Sequence, residues 1–427
     1  MNGLSGLHID LRQVIIAIEA AVSLVGMDDT NHGKRVGYIA SQLGKQLGFN
    51  EQSIQFSFDL GLLHDCGVST AQMHSYLVNN FNGNDAHIHC EAGYRLLKDF
   101  EPLSKFATPI LYHHTPWEEL KKLDLSSHDV IMANLIFLSD RIDVMAATHY
   151  KTDFLCAREK VVKSIIKYAG TLFAPSLIKA FQQLAMSEVF WIALEERHIT
   201  RYTWDMGQFE RSQLLTIAQL KQLSLILAYI VDQRRPFTAQ HSIKVARLAR
   251  YIASAFGLQS EQCDKIEIAG LLHAVGKLYI SDDIVEMPGT LSDVELSIMK
   301  QHSYETYEIL RHIKGLGEIA RWAAFHHEGG NGVGYPFHPE EKDLSIEARI
   351  IAVADVFQAL VQGRPYQDGT PLTKVIDILD ELTTSGKLDQ DIVNLTKKHK
   401  DACFDIAKEN NARETACAVE TTVSEYL

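Results

Sequence analysis

The run Asn31-His32-Gly33-Lys34-Arg35-Val36-Gly37-Tyr38-Ile39-Ala40-Ser41-Gln42-Leu43-Gly44-Lys45-Gln46-Leu47-Gly48 recurs 209 residues later, without a gap, as Gln240-His241-Ser242-Ile243-Lys244-Val245-Ala246-Arg247-Leu248-Ala249-Arg250-Tyr251-Ile252-Ala253-Ser254-Ala255-Phe256-Gly257. Each copy sets a histidine about one turn ahead of an apolar stripe at helical spacing: Val36, Ile39, Leu43 and Leu47 in one, Val245, Leu248, Ile252 and Phe256 in the other. Each closes on a glycine at a helix C-cap position. The same offset carries Gly61-Leu62-Leu63-His64 onto Gly270-Leu271-Leu272-His273. Later motifs drift slightly, to 213 residues between His113 and His326 and 215 between Asp140 and Asp355. An ungapped match across two motifs makes chance a poor explanation, and the period is far too long for a solenoid. Strand patterns are sparse. The reading is an all-α chain holding two copies of one helical domain in tandem.

The spacing predicts a first domain over 1–205, a second over 206–400, and a helix end with a polar tail over 401–427. The boundary falls where charged and aromatic residues mix, between Glu195 and Glu210. Leu214 to Val231 is predicted as a helix leading into the second copy, with Pro236 and Thr238 marking its end.

A chain of 427 residues has room for two or three full cores, and 46% hydrophobic with 22% charged residues is ordinary for a globular protein. The net charge of -13 argues against broad nucleic-acid binding, so no DNA partner is expected. A small anion remains compatible, because metals and a few basic side chains reverse the sign inside a pocket. Cys66, Cys90, Cys156, Cys263, Cys403 and Cys417 form no CxxC pair, and Met1-Asn2-Gly3 opens no secretory leader. Free thiols in a cytoplasmic protein are the expectation. The apolar runs Val14 to Val25 and Leu223 to Val231 are too short to span a membrane.

The chemistry lies in the polar residues that recur with the repeat. The first copy holds His32, His64, Asp65, His89, His113, His114 and Asp140; the second holds His241, His273, His302, His326, His327 and Asp355. Imidazole and carboxylate donors suit first-row metals such as Mn, Fe, Ni or Zn. An adjacent His-Asp pair can give one terminal nitrogen ligand and one carboxylate bridging two ions, an arrangement able to clamp a phosphate. A single histidine on a helix is more often a hydrogen-bonded core or surface residue; the ordered array of His, His-Asp, His, His-His and Asp reverses that weighing. In the second copy Ala274 stands where the carboxylate should be. Lys277 lies one turn past His273. Glu328 to Pro336 is a glycine-dense loop that lets backbone approach a ligand. Arg349 and Arg364-Pro365-Tyr366 add donors suited to phosphate or guanine edges. Taken alone, each arginine reads as a solvated charge and Gly334-Tyr335-Pro336 as an ordinary turn.

From His241 to Tyr366 the chain resembles the HD-GYP family, bacterial cyclic dinucleotide phosphodiesterases on the all-helical HD fold. The matching positions are His241, His273, Gly276-Lys277, His302, His326-His327-Glu328, Gly332, Gly334-Tyr335-Pro336, Asp355 and Arg364-Pro365-Tyr366. The first copy resembles a plain HD domain, without the Gly-Tyr-Pro loop and with Val68 at the lysine position. The tandem layout is similar to members acting on 3′,3′-cyclic GMP-AMP as well as cyclic di-GMP.

The resemblance implies two divalent ions per active HD site, held in the second copy by His241, His273, His302, His326, His327 and Asp355. It implies that Lys277 neutralises the scissile phosphate, Tyr335 shapes the pocket, and Arg364 grips the dinucleotide. Phe237 stands where some members carry a glutamate for a third metal, and Gln367 where some carry a basic residue. The implied product is a linear 5′-phosphorylated dinucleotide, and a 5′-nucleotidase role is open for the first copy. Ala274 is the departure. Decay under relaxed selection erodes several motif positions, whereas one loss among intact neighbours is the pattern a single deliberate inactivating substitution leaves. A receptor that binds without cutting, and a scaffold without a nucleotide, stay open as alternatives, as does a homodimer.

Overall fold

The apolar stripe that defines the repeat is the inner face of a helix in both copies. Val36, Ile39 and Leu43 are fully buried on α2 (His32–Gln46), as are Val245, Leu248 and Ile252 on α8 (His241–Phe256). The stripe fades at its last member: Leu47 is half-buried and Phe256 exposed, because each helix ends there and the chain turns at Gly48 and Gly257, both with positive φ. The computed structural model describes residues 6–23, 31–68, 86–147, 154–209, 212–232, 240–285, 289–362 and 369–408, with positions 149 and 287. Pro236, Phe237, Thr238, Arg364, Pro365, Tyr366, Gln367, Cys417 and the polar tail lie outside the described residues. All five described cysteines are free thiols. No helix among the described residues is long and apolar enough to cross a membrane.

The chain divides into two compact units, Leu11–Arg211 and Met1–Asp10 with Ser212–Leu427. In the first, α1 (Leu11–Ser23), α2, α3 (Glu51–Leu63), α4 (Ala86–Lys98), α5 (Ala107–Leu111) and α6 (Ser127–Ala147) form the core. α6 is buried along most of its length and packs against α2, α3 and α5. The helices Pro175–Leu184 and Glu196–Gly207 cover α2, the latter through Tyr202, which bonds Ser41 and stacks edge-on with Tyr38 and Phe58.

The second unit repeats the plan with α7 (Ile217–Asp232), α8, α9 (Ser260–Leu272), α10 (Asp293–Arg311), α11 (Gly317–Ala324) and α12 (Ile346–Val361). It also contains a two-stranded sheet, β1 (Gly6–Asp10) antiparallel to β2 (Ser212–Thr216), with Gly6 opposite Thr216 and Asp10 opposite Ser212. Helix was expected from Leu214 onward; the chain stays extended to Thr216, because its backbone partners lie about two hundred residues away, where local periodicity carries no information. The remainder is helical, as expected, and the helix Lys400–Lys408 closes the described chain.

Candidate metal centres

The turn after α3 brings the first candidate ligands together. His64 caps α3, and its Nδ1–H donates to the Gly61 carbonyl at 2.8 Å, so Nε2 carries the lone pair. Two residues past Asp65, Gly67 lies so close to α4 that a Cβ there would land on the His89 carbonyl oxygen. The second unit builds the same turn: His273 donates to Gly270 at 2.7 Å, and a Cβ on Gly276 would land on the His302 carbonyl. A glycine three positions past each histidine therefore sets the distance between the turn and the next ligand helix.

In the first unit the seven expected residues converge. His32 Nε2 lies 3.4 Å from Asp140 Oδ1 and 3.8 Å from Asp65 Oδ2. Asp65 spans the cluster: Oδ2 is 3.3 Å from His64 Nε2, and Oδ1 is 3.3 Å from His89 Nε2. His89 Nε2 faces His113 Nε2 at 3.2 Å, and His114 Nε2 lies 3.9 Å from Asp140 Oδ2. His32, His64 and Asp140 form one group of potential ligands, and His89, His113 and His114 belong to another, with the buried Cys90 beside them. Asp65 lies between the two groups with one oxygen toward each.

The second unit assembles the same two groups, His241, His273 and Asp355 beside His302, His326 and His327. Asp355 Oδ1 lies 3.0 Å from His241 Nε2 and 3.4 Å from His273 Nε2. Ring separations reproduce those of the first unit: 5.1 Å for both His89–His114 and His302–His327, and 4.2 Å and 4.0 Å for the paired histidines. The difference is at the centre, where buried Ala274 presents a methyl group in place of a carboxylate.

These residues fit a cation. His302 donates Nδ1–H to Met299 and His326 donates Nδ1–H to Ala323, yet their Nε2 atoms face each other at 3.3 Å. Two lone pairs at that separation in a buried site repel unless a positive charge lies between them. Burial, then the neighbouring His327, holds both imidazoles well below their ordinary pKa, so a proton is not the natural occupant. Ligand nitrogens around a tetrahedral ion at ~2.05 Å are spaced by about 3.3 Å, the separation seen. The buried Nε2 atoms of His64 and His273 make no well-formed hydrogen bond, and each faces a carboxylate oxygen, of Asp65 at 3.3 Å and of Asp355 at 3.4 Å.

The first cluster is electrostatically polarised. Burial pushes His89 down to about 4 and His113 to about 3. For His32 burial acts in the same sense, but Asp140 and Asp143 outweigh it and raise its pKa. Asp65 and Asp140 stay well below the usual carboxylate range despite burial, the former through His64 and the latter chiefly through Arg141. In the second unit Asp355 is likewise held low by His241 and His273, and burial depresses His327 to about 4.

Lys277, half-buried on the turn after His273, is close enough for its charge to depress His273, His302 and His327. Tyr335 lies against His327 with ring centres 4.8 Å apart, and Lys300 Nζ stands 5.5 Å from the centre of the Tyr335 ring. Gly334 has φ +122 and pairs with Glu328, and a Cβ there would meet the His327 carbonyl, so the loop closes on the paired histidines only with glycine at this position. Arg349 is placed elsewhere: Nη1 donates to Asp389 at 2.8 Å, and the side chain lines a cavity of about 330 Å³ with Glu328, Gly386 and Lys387. Arg364 lies outside the described residues.

Sequence reasoning missed the residues behind the ligands. Asp143, fully buried, accepts His32 Nδ1–H at 2.7 Å and is gripped by Arg35 through Nε at 2.6 Å and Nη2 at 3.1 Å. Arg141 holds Asp140 at 2.7 Å, and Gln362 Oε1 accepts from His241 at 3.0 Å. The available clue was periodicity: Asp143 is one turn past Asp140, and Arg35 one turn past His32.

HD-domain profiles match residues 30–145 and 226–392. The chain is 34% identical over 416 residues to 3′3′-cGAMP-specific phosphodiesterase 1 of Vibrio cholerae serotype O1, covering 96% of both proteins. It is 37% identical over 167 residues to a cyclic di-GMP phosphodiesterase of Thermotoga maritima, covering 38% of this chain and 44% of the relative. In fold it is similar to a crystal structure of a cyclic GMP-AMP specific phosphodiesterase in V. cholerae, with a TM-score of 0.64, 22% identity, and coverage of 93% of this chain and 98% of that one. With two HD domains in one chain and a relative aligned across nearly its full length, this protein belongs to the tandem HD-domain family that includes the 3′3′-cGAMP-specific phosphodiesterases.

Proposed function

We propose that the chain is a metal-dependent hydrolase of cyclic dinucleotides, with 3′,3′-cGAMP and cyclic di-GMP as its substrate class. The observation that carries this reading is the paired ligand groups of each unit, Nε2 atoms of His302 and His326 facing at 3.3 Å among them. The full-length similarity to 3′3′-cGAMP-specific phosphodiesterase 1 supports the substrate. We assign the second unit to the HD-GYP type on its Gly332 to Pro336 loop.

Metal bound at these ligands would activate water and neutralise charge on the phosphoryl oxygens. The chain's own residues supply the rest. Lys277 brings a fixed ammonium to the same face as the histidines and binds a non-bridging phosphate oxygen as its charge grows in the transition state. Tyr335, against His327, walls the pocket and orients the nucleotide. Ring opening consumes one water, breaks a phosphorus–3′-oxygen bond, and leaves a linear dinucleotide with a 5′-phosphate. The first unit, with Asp65 in place and no lysine at Val68, removes that terminal phosphate as a 5′-nucleotidase. Ala274 impairs the second unit by leaving its two ligand groups without a bridging carboxylate.

Ala274 also favours a second reading, a receptor that holds the cyclic dinucleotide uncut. Metal analysis beside a turnover panel and calorimetry with both nucleotides separates the two. Slow metal-dependent cleavage supports the hydrolase, stoichiometric binding without cleavage supports the receptor, and neither binding nor cleavage overturns both.

A further inference from the structure

We infer that Asp143 and Arg35 are positioning residues that make the first unit's centre the tightly bound one, so that the two copies have diverged in metal retention. The inference rests on the metal-dependent reading above. Asp143 is fully buried on α6, and Arg35 engages both of its oxygens from α2, at 2.6 Å and 3.1 Å. Arg35 thus supplies a charged partner to each oxygen of that carboxylate. A carboxylate oxygen 2.7 Å from His32 Nδ1 fixes the Nδ1–H tautomer and turns Nε2 toward Asp140 and Asp65. It also makes that nitrogen a stronger donor to a cation.

The second copy has no buried carboxylate at this place and so no such ion pair behind its first histidine. The repeat offsets place Lys244 where Arg35 stands and Gln358 where Asp143 stands. His241 Nδ1 instead donates to the neutral amide oxygen of Gln362 at 3.0 Å. This difference acts in the same direction as that between Asp65 and Ala274, but on the opposite side of the ligand set. One copy has both a bridging carboxylate and a charged backing for its first histidine; the other has neither.

The test uses the full-length chain stripped of metal, titrated with Mn(II) while free Mn(II) is read by electron paramagnetic resonance. His64→Ala and His273→Ala assign the binding classes to the two units. The expected result is a tight class removed by His64→Ala and a weak class removed by His273→Ala. Asp143→Asn keeps the shape and an acceptor oxygen while removing the charge; it should weaken the tight class by about 10- to 100-fold and shift the visible spectrum of Co(II) bound there. In the other direction, Gln362→Glu should tighten the weak class. A purely structural Arg35–Asp143 pair predicts a lower Tm for Asp143→Asn with unchanged affinity and an unchanged Co(II) spectrum, and that result overturns the inference. Equal affinities in the two units, or tight binding by the second, also overturn it. If Asp143→Asn does not fold, Gln362→Glu decides, and an unmoved weak class counts against the inference. Absence of metal binding in both units sinks the hydrolase reading as well; the other failures leave that reading standing.

Discussion

Asp65 Oδ1 lies 3.3 Å from His89 Nε2 while its other oxygen faces His64 at the same distance, so one side chain joins two ligand groups that the second unit leaves apart. A carboxylate in that position would offer a donor to a cation held by either group and compensate its charge. The Ala274 methyl can do neither, although the histidine rings of the second unit stay clustered, with corresponding centroid separations within about 0.4 Å of those in the first.

Asp65→Ala should abolish phosphate release from the linear 5′-phosphorylated dinucleotide. Ring opening by the same chain carrying Ala274→Asp should persist. Malachite-green detection of phosphate beside chromatography of the dinucleotides measures both at once. Phosphate release unchanged by Asp65→Ala would remove the first unit from the reaction.

The metal-free second unit should lose stability in mild acid. His273, His302, His326 and His327 all have depressed folded-state pKa values, with His327 at about 4. The unfolded chain takes up protons near 6.5 that the folded unit refuses, so stability is fully present above that pH and falls as pH drops toward 4. His327 alone is worth on the order of 3 kcal/mol across that window. In the first unit the raised values of His32 and His64 oppose the depressed His89, His113 and His114, which blunts the effect. Thermal unfolding of the metal-free chain between pH 7 and pH 4.5 checks this, with His327→Gln expected to flatten the slope.

Arg12→Ala should destabilise the first unit by about 3–5 kcal/mol, because it strands Asp59 as an unpaired buried charge. Both residues are fully buried, with Arg12 Nε 2.6 Å from Asp59 Oδ1 and Nη1 donating to Met206 at 2.9 Å. Denaturant unfolding followed by fluorescence reports the loss.

The fold and the ligand set were legible because both are written locally and twice. A helical stripe needs only its own period, and the repeat identified His64 with His273 and exposed Ala274 as an exception. The groups behind the ligands were hidden for the opposite reason. Arg35 and Asp143 carry charges that on a helix usually face water, and their pairing across 108 residues follows from packing alone. Arg349 illustrates the converse: a basic residue near the motif in sequence, yet turned to Asp389 on another face of α12. The β1–β2 pairing was hidden by distance along the chain in the same way.

Restoring the missing acid tests the account most directly. Metal-loaded Ala274→Asp protein, supplied with Mn(II) or Fe(II), should open 3′,3′-cGAMP or cyclic di-GMP on the order of 100-fold faster than the chain with Ala274, a gain typical of one transition-state-stabilising group. Cyclic dinucleotides left intact by the metal-loaded Ala274→Asp protein would contradict it.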